Sequence, residues 1–159
     1  MSDVNKEILN FLIKLFEISI VDVMPTISGI SIFKDDDVLN EGLNDSFAGT
    51  LLFSGEINGF FMIKTDEQSL RVLTSNITGC HIEFVEESDM LDCIGELANI
   101  ICGSVRAKAA VNGISFKLSI PFSIKGGNGL WFSFKRNANT FPLNFSSNDV
   151  HINARVVLT

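Results

Sequence analysis

Two side chains in this sequence have the types and spacing needed to hold a water molecule in a chosen orientation. They are Glu96 and Asn99, a carboxylate and an amide three residues apart in the run DMLDCIGELANIICGSVRAKAA, Asp89 to Ala110. An amide donates and accepts hydrogen bonds, and a carboxylate accepts them or pairs with a cation. The run lacks proline and its apolar residues recur at helical spacing, which predicts one long helix. At about 100° per residue, Leu91, Ile94, Leu97, Ala98, Ile101, Val105 and Ala109 share an apolar face. Asp92, Glu96, Asn99, Gly103 and Arg106 form a polar stripe roughly opposite it. Residues three apart are neighbours on a helix, so Glu96 and Asn99 are expected side by side. Gly95 and Gly103 flank them, and a glycine inside a helix costs about 1 kcal/mol relative to alanine. A helix that carries this cost is expected to have something close to its backbone there.

The elements that must hold this helix can be read along the chain. The 159 residues, 46% hydrophobic and 19% charged, fit one globular domain spanning 1–159. A first helix is expected from about Asn5 to Met24, with Ile8, Leu12, Phe16 and Ile20 in line and Pro25 ending it. Two alternating segments follow, Ile27 to Phe33 and Ser46 to Phe53, separated by an acidic loop with Asp35, Asp36, Asp37, Glu41 and Asp45. Asn58-Gly59 between two apolar runs predicts a hairpin. Asp66 reads as the N-cap of a short helix to about Asn76, stopped by Gly79, and Ser88 with Asp89 and Asp92 as the opening of the long helix. Strands are expected around Ser115 to Ile124, Leu130 to Arg136, Thr140 to Phe145 and His151 to Leu158. The segment NGFFMIK from Asn58 echoes NGLWFSFK from Asn128, which suggests two related halves. The fold class is α+β: an antiparallel sheet with long helices packed against it, in two related helix-plus-hairpin halves. Phe60, Phe61, Met62, Trp131, Phe132 and Phe134 are expected to fill the sheet.

Most standard chemistries have no counterpart in the sequence. Net charge is −7 and there is no basic cluster, which disfavours nucleic acid and anionic membrane surfaces as partners. Lys14, Glu17 and Asp22 interrupt the apolar N-terminal run, so it does not read as a membrane span, and its early acids do not read as a secretory signal. A cytoplasmic protein is expected. Cys93 and Cys102 stand nine apart on one helix, about 13 Å along its axis, too far for a disulfide. Cys80 beside His81 lacks zinc-ligand spacing. There is no phosphate-binding G-x-x-x-x-G-K-[ST] loop, no H-E-x-x-H and no G-x-S-x-G elbow, and GGNG from Gly126 reads as a hairpin turn. No cofactor or metal of its own is expected.

What remains is positioning. An aspartyl phosphate on another protein is already a reactive acyl phosphate, and that protein can bring its own Mg²⁺ and lysine. A helper then needs only to dock and to place a water in line for attack. A glutamate can hold the partner by pairing with its lysine, and a small residue one turn on lets the partner approach. The plainer alternative also stands: Glu96 as a solvated helix residue, and Asn99 as an amide tying the helix to a strand.

The frame D-x-x-x-x-x-G-E-L-x-N-x-x-x-G, here Asp89, Gly95, Glu96, Leu97, Asn99 and Gly103, resembles the signature helix of the CheX/CheC/FliY chemotaxis phosphatases. The order of elements, including Ser119-Ile120-Pro121 after the long helix, follows the family over nearly the whole chain. The resemblance implies dephosphorylation of a CheY-like response regulator. In it Glu96 anchors the regulator through its active-site lysine and Asn99 orients the hydrolytic water. Asp92, Gly95, Gly103 and Arg106 are the expected partner-binding residues, and Mg²⁺ is expected on the phosphorylated partner. Some members of the family carry the helix twice. Here a bare E-x-x-N recurs as Glu7 to Asn10, but without glycines and followed by Phe11 and Leu12, so it reads as chance or capping. The single-site, homodimeric CheX type fits best. The alternative function is a non-catalytic adaptor that binds a receiver domain or a flagellar motor component through the same helix.

Overall fold

Pro25 does not end the first helix. In the computed structural model, which describes residues 3–35, 46–127 and 138–159, α1 runs Asp3–Ser28 with Pro25 inside it. Proline removes one amide donor, and this one lies in the last turn, where little helix remains to be broken. Thr26 and Ser28 hydroxyls donate to the Asp22 and Met24 carbonyls at 2.8 and 2.7 Å, and Gly29 N–H closes the end on the Pro25 carbonyl at 3.0 Å. The strand expected from Ile27 to Phe33 is therefore mostly absent. Only β1 (Phe33–Lys34) forms there.

The next elements follow the sequence more closely. β2 (Phe47–Gly55) and β3 (Gly59–Thr65) form the expected antiparallel hairpin, with Leu51 opposite Phe61. Its turn is not Asn58-Gly59 itself. Gly59 already pairs with Phe53, and Asn58 Oδ1 closes the turn by accepting from Gly55 N–H at 3.3 Å. α2 (Glu67–Thr78) has Asp66 as N-cap, accepting from Ser69 N–H, and left-handed Gly79 as C-cap. α3 (Glu87–Val111) starts slightly earlier than Ser88 predicts, because the Asp89 carboxylate reaches back to the Glu86 N–H at 3.0 Å.

The stretch expected as one strand from Ser115 to Ile124 is two, β4 (Phe116–Leu118) and β5 (Phe122–Lys125), interrupted at Ser119–Pro121. Both pair with β2, at opposite ends of it. β6 (Asn139–Ser146) and β7 (His151–Leu158) are the final antiparallel pair. The described strands form one antiparallel sheet ordered β1-β6-β7-β3-β2-β4, with β5 also on β2. The two described hairpins, β2–β3 and β6–β7, meet through the pairing of β3 with β7. The second limb of the sequence echo, the strand expected at 130–136 with Trp131, Phe132 and Phe134, and the acids Asp36, Asp37, Glu41 and Asp45 lie outside the described residues.

Both long helices pack on one face of the sheet. The Phe16 ring of α1 stacks on Phe61 at 5.0 Å and meets Phe53 at 6.2 Å. A side chain at Gly49 of β2 would overlap the Ile94 carbonyl of α3, so the helix backbone rests directly on the strand. α2 sits against both helices, with the Asn76 amide donating to the Ser28 carbonyl at 3.0 Å. Among the described residues no helix is long and apolar enough to cross a membrane.

Candidate functional site

The sheet fixes which side of α3 faces outwards. Ile94, Leu97, Ala98, Ile101, Val105 and Ala109 are buried, as the helical wheel predicts, and Met90, Cys93 and Cys102 join them. Leu91 is only half-buried. Burial pushes the Cys93 thiol up and pushes Cys102 well up. Neither thiol is therefore a nucleophile in the native state. Glu87 and Asp89 in the first turn and Lys108 in the last complement the helix dipole. Lys108 also pairs with Asp22 of α1 at 3.3 Å.

The opposite stripe is open. Asp92, Glu96 and Arg106 are exposed, and Asn99 and Gly103 are half-buried. The Asn99 amide nitrogen donates to Glu96 Oε2 at 3.3 Å, so the structure brings together the pair that spacing predicted. This contact leaves Asn99 Oδ1 and the second amide hydrogen available. An oxygen acceptor fixed in this way can accept a hydrogen bond from a water and so aim that water's lone pair. By contrast, no hydrogen bond joins Glu7 to Asn10 among the described residues, and both are exposed on α1.

The two glycines of the motif separate. Gly103 has nothing within 4 Å of where a Cβ would stand, so it presents open backbone to solvent. Gly95 is buried, and a Cβ there would lie 2.7 Å from Ser123 Oγ of the same chain. Its expected place as a point of partner approach is corrected: the chain that comes close is β5. Ser123 donates to the Leu91 carbonyl at 2.6 Å, and Lys125 pairs with Glu87, so β5 is fastened along the N-terminal half of α3. Ser123 was not visible in the sequence as a supporting residue, since it stands 28 positions after Gly95 with no motif to link them.

The site is the exposed stripe of α3. Two clefts of about 490 and 500 Å³ lie elsewhere, one beside Asp66 and His151 and one beside Leu12 and Leu158, and neither is lined by Glu96 or Asn99. Among the described residues no group of three His, Cys, Asp or Glu side chains is placed to hold a metal ion.

Fold and site together describe an α+β domain that offers a polar helix face, with a carboxylate–amide pair at its centre. The family model of the chemotaxis phosphatase CheX matches residues 47–142, well over half of the chain, and the chain belongs to that family. No curated protein matches it in sequence. Solved structures that it resembles include the chemotaxis protein CheX from Vibrio vulnificus, with 18% identity over 93% of this chain and 96% of that one and a TM-score of 0.81. CheX from Desulfovibrio desulfuricans has 20% identity over 93% and 99%, with a TM-score of 0.79. A chain of the CheX–CheY–BeF3–Mg²⁺ complex from Borrelia burgdorferi has 19% identity over 92% and 96%, with a TM-score of 0.77. At these identities the likeness shows the shared fold.

Proposed function

We propose that this protein accelerates hydrolysis of the aspartyl phosphate on a CheY-like response regulator. The observation that carries the proposal is the Asn99–Glu96 hydrogen bond on an exposed helix face. An exposed face suits a reaction whose other half arrives on a partner. Membership of a family described as chemotaxis phosphatases supports the reading, as does the Borrelia burgdorferi structure, in which a CheX is complexed with CheY.

In this mechanism α3 lies against the mouth of the regulator's phosphorylation site. Glu96 pairs with a lysine of the regulator and holds the register. Asn99 accepts a hydrogen bond from one water through Oδ1 and aims the water oxygen at phosphorus, in line with the bond to the aspartyl oxygen, and the water's protons leave with the phosphate. As the water oxygen bonds to phosphorus, the phosphorus–aspartyl oxygen bond breaks. The regulator recovers its carboxylate and inorganic phosphate leaves. Mg²⁺ belongs to the regulator and offsets charge on the phosphoryl oxygens. This chain supplies only orientation, a contribution that is lost when the group is displaced by about 1 Å, at a cost near 100-fold.

The test is the lifetime of phosphate on a purified CheY-like receiver with and without this protein. Wild type is expected to shorten it. Asn99→Ala is expected to lose about 100-fold in kcat, and Glu96→Ala chiefly to raise KM. Full activity in both variants would refute the mechanism. Binding of the receiver with an unchanged or longer phosphate lifetime would instead make this protein an adaptor. A cytoplasmic homodimer belongs to the same reading, and sedimentation of the purified protein tests the dimer.

A further inference from the structure

The stripe on α3 has no large exposed apolar side chain, yet stable protein interfaces draw most of their energy from a few buried apolar anchors. Among the described residues, an exposed apolar side chain stands in the break between β4 and β5. Two contacts set the register of β5 along α3, Lys125 beside Glu87 and Ser123 beside Leu91 and Gly95. Strand and helix thus run antiparallel. An extended chain advances about 3.3 Å per residue and a helix about 1.5 Å, so two strand residues span four to five helical ones. Phe122 pairs with Thr50 and Ser119 with Leu52, so Ile120 and Pro121 form a bulge opposite Leu51. Leu51 lies two strand residues beyond Gly49, which rests on Ile94. The bulge therefore comes level with Ala98 and Asn99, where the turn from Asn99 to Gly103 begins. Asn99 stands one turn beyond Gly95 and about 40° round the helix from it, so the stripe borders the side on which β5 lies.

Ile120 is 84% exposed. Single exposed apolar residues are ordinary, but this one is held in place. Ser119 N–H donates to the Leu52 carbonyl at 2.9 Å, and Leu52 N–H donates to Ser119 Oγ at 2.9 Å. Ser119 Oγ in turn donates to the carbonyl of Ile120 itself at 2.8 Å. Pro121 on the other side has a restricted backbone. The side chain is presented on a braced segment, so little conformational entropy remains to be lost on docking.

We propose that Ile120 is a docking contact for the phosphorylated receiver, seated beside the Asn99–Gly103 turn and supplying the apolar anchor that the stripe lacks. The inference rests on the phosphatase reading of Glu96 and Asn99. Ile120 is a positioning residue: it sets how often the complex forms, while Asn99 sets how fast the bound complex reacts.

The experiment measures steady-state phosphate release from a CheY-like receiver kept phosphorylated by acetyl phosphate and Mg²⁺, together with binding to the same receiver loaded with beryllofluoride, a tetrahedral phosphoryl mimic. Ile120→Asp is expected to raise KM and Kd about tenfold or more, the scale of losing an interface anchor, with kcat within about twofold. Ile120→Leu is expected to restore wild-type values. Val111, 88% exposed at the far end of α3, serves as the control, and Val111→Asp is expected to change nothing. Should Ile120→Asp melt early, Ile120→Ser gives the same readout. An unchanged KM in the folded Ile120 variants, with Asn99→Ala still inactive, overturns the inference and leaves the phosphatase reading standing. A wild-type protein that neither binds the receiver nor shortens its phosphate lifetime overturns both, in a pattern distinct from the first.

Discussion

Gly95 and Gly103 are one residue type in one helix, yet their environments demand different outcomes. At Gly95 an added methyl meets Ser123 Oγ at 2.7 Å. Gly95→Ala is therefore expected to cost about 1–3 kcal/mol through overpacking, and Ser123→Gly to recover part of it, both read from urea midpoints. At Gly103 the space is open. Gly103→Leu is expected to keep or slightly raise stability, by up to about 1 kcal/mol of helix propensity, while raising the KM for receiver. The sequence flagged both glycines because both are anomalous in a helix, but it could not separate them, since the neighbour that decides lies 28 residues away. Glu96 and Asn99 were legible because their relation is local, a matter of helical spacing alone. Charge also acts at this scale. Burial pushes the Glu17 carboxyl up, but hydrogen bonds and charge from Lys34 and Lys14 outweigh it and hold the group below its ordinary value of 4.5. A lowered folded pKa gives stability that is present above that ordinary value and lost as pH falls through the lower one. Lys34→Ala is expected to move the acid unfolding midpoint, followed by circular dichroism, to higher pH.

Helix ends show what can be read locally and what cannot. Asp66 and Gly79 bound α2 as the sequence predicts, because each acts through backbone groups within four residues of itself. Asp66→Ala is expected to cost about 0.5–2 kcal/mol, towards the upper end because Asp66 also accepts from the Ser69 hydroxyl at 2.7 Å. The end of α1 was misread because the proline rule treats the residue alone, whereas the Thr26 and Ser28 hydroxyls and a well-packed helix face keep the last turn in place. α1 contributes Leu12, Phe16, Ile20 and Met24 to the core, so its continuation past Pro25 is decided by tertiary burial. α3 carries two of the three free cysteines on its buried side. With Ellman's reagent, Cys80 is expected to react in the native protein, and Cys93 and Cys102 only as fast as the chain unfolds. The raised thiols also set an alkaline limit: their contribution holds below the ordinary value of 9.0 and is lost as pH rises through the folded values.

For the whole molecule, class and element order were legible, and strand order was not. Alternation identifies a strand but does not name its partner, and the pairings of β4 and β5 with β2 and of β3 with β7 join residues far apart in sequence. The platform under α3 depends on these pairings, since β2 carries Gly49 on one side of the ladder and is flanked by β3, β4 and β5. One arrangement has a consequence for how the molecule comes into being. β7, the last strand along the chain, lies between β6 and β3 in the middle of the sheet, and Thr159 N–H bonds to the Asn58 carbonyl in the β2–β3 turn at 3.0 Å. Helices can condense early, on the microsecond scale, but the sheet cannot close until its C-terminal strand has been made and has found a neighbour nearly a hundred residues upstream. Non-local pairing of this kind places refolding in the range of milliseconds to seconds. During synthesis the helix that bears Glu96 and Asn99 leaves the ribosome before the strand that completes its support, and a ribosome halted before His151 would hold a chain with its central ladder still open.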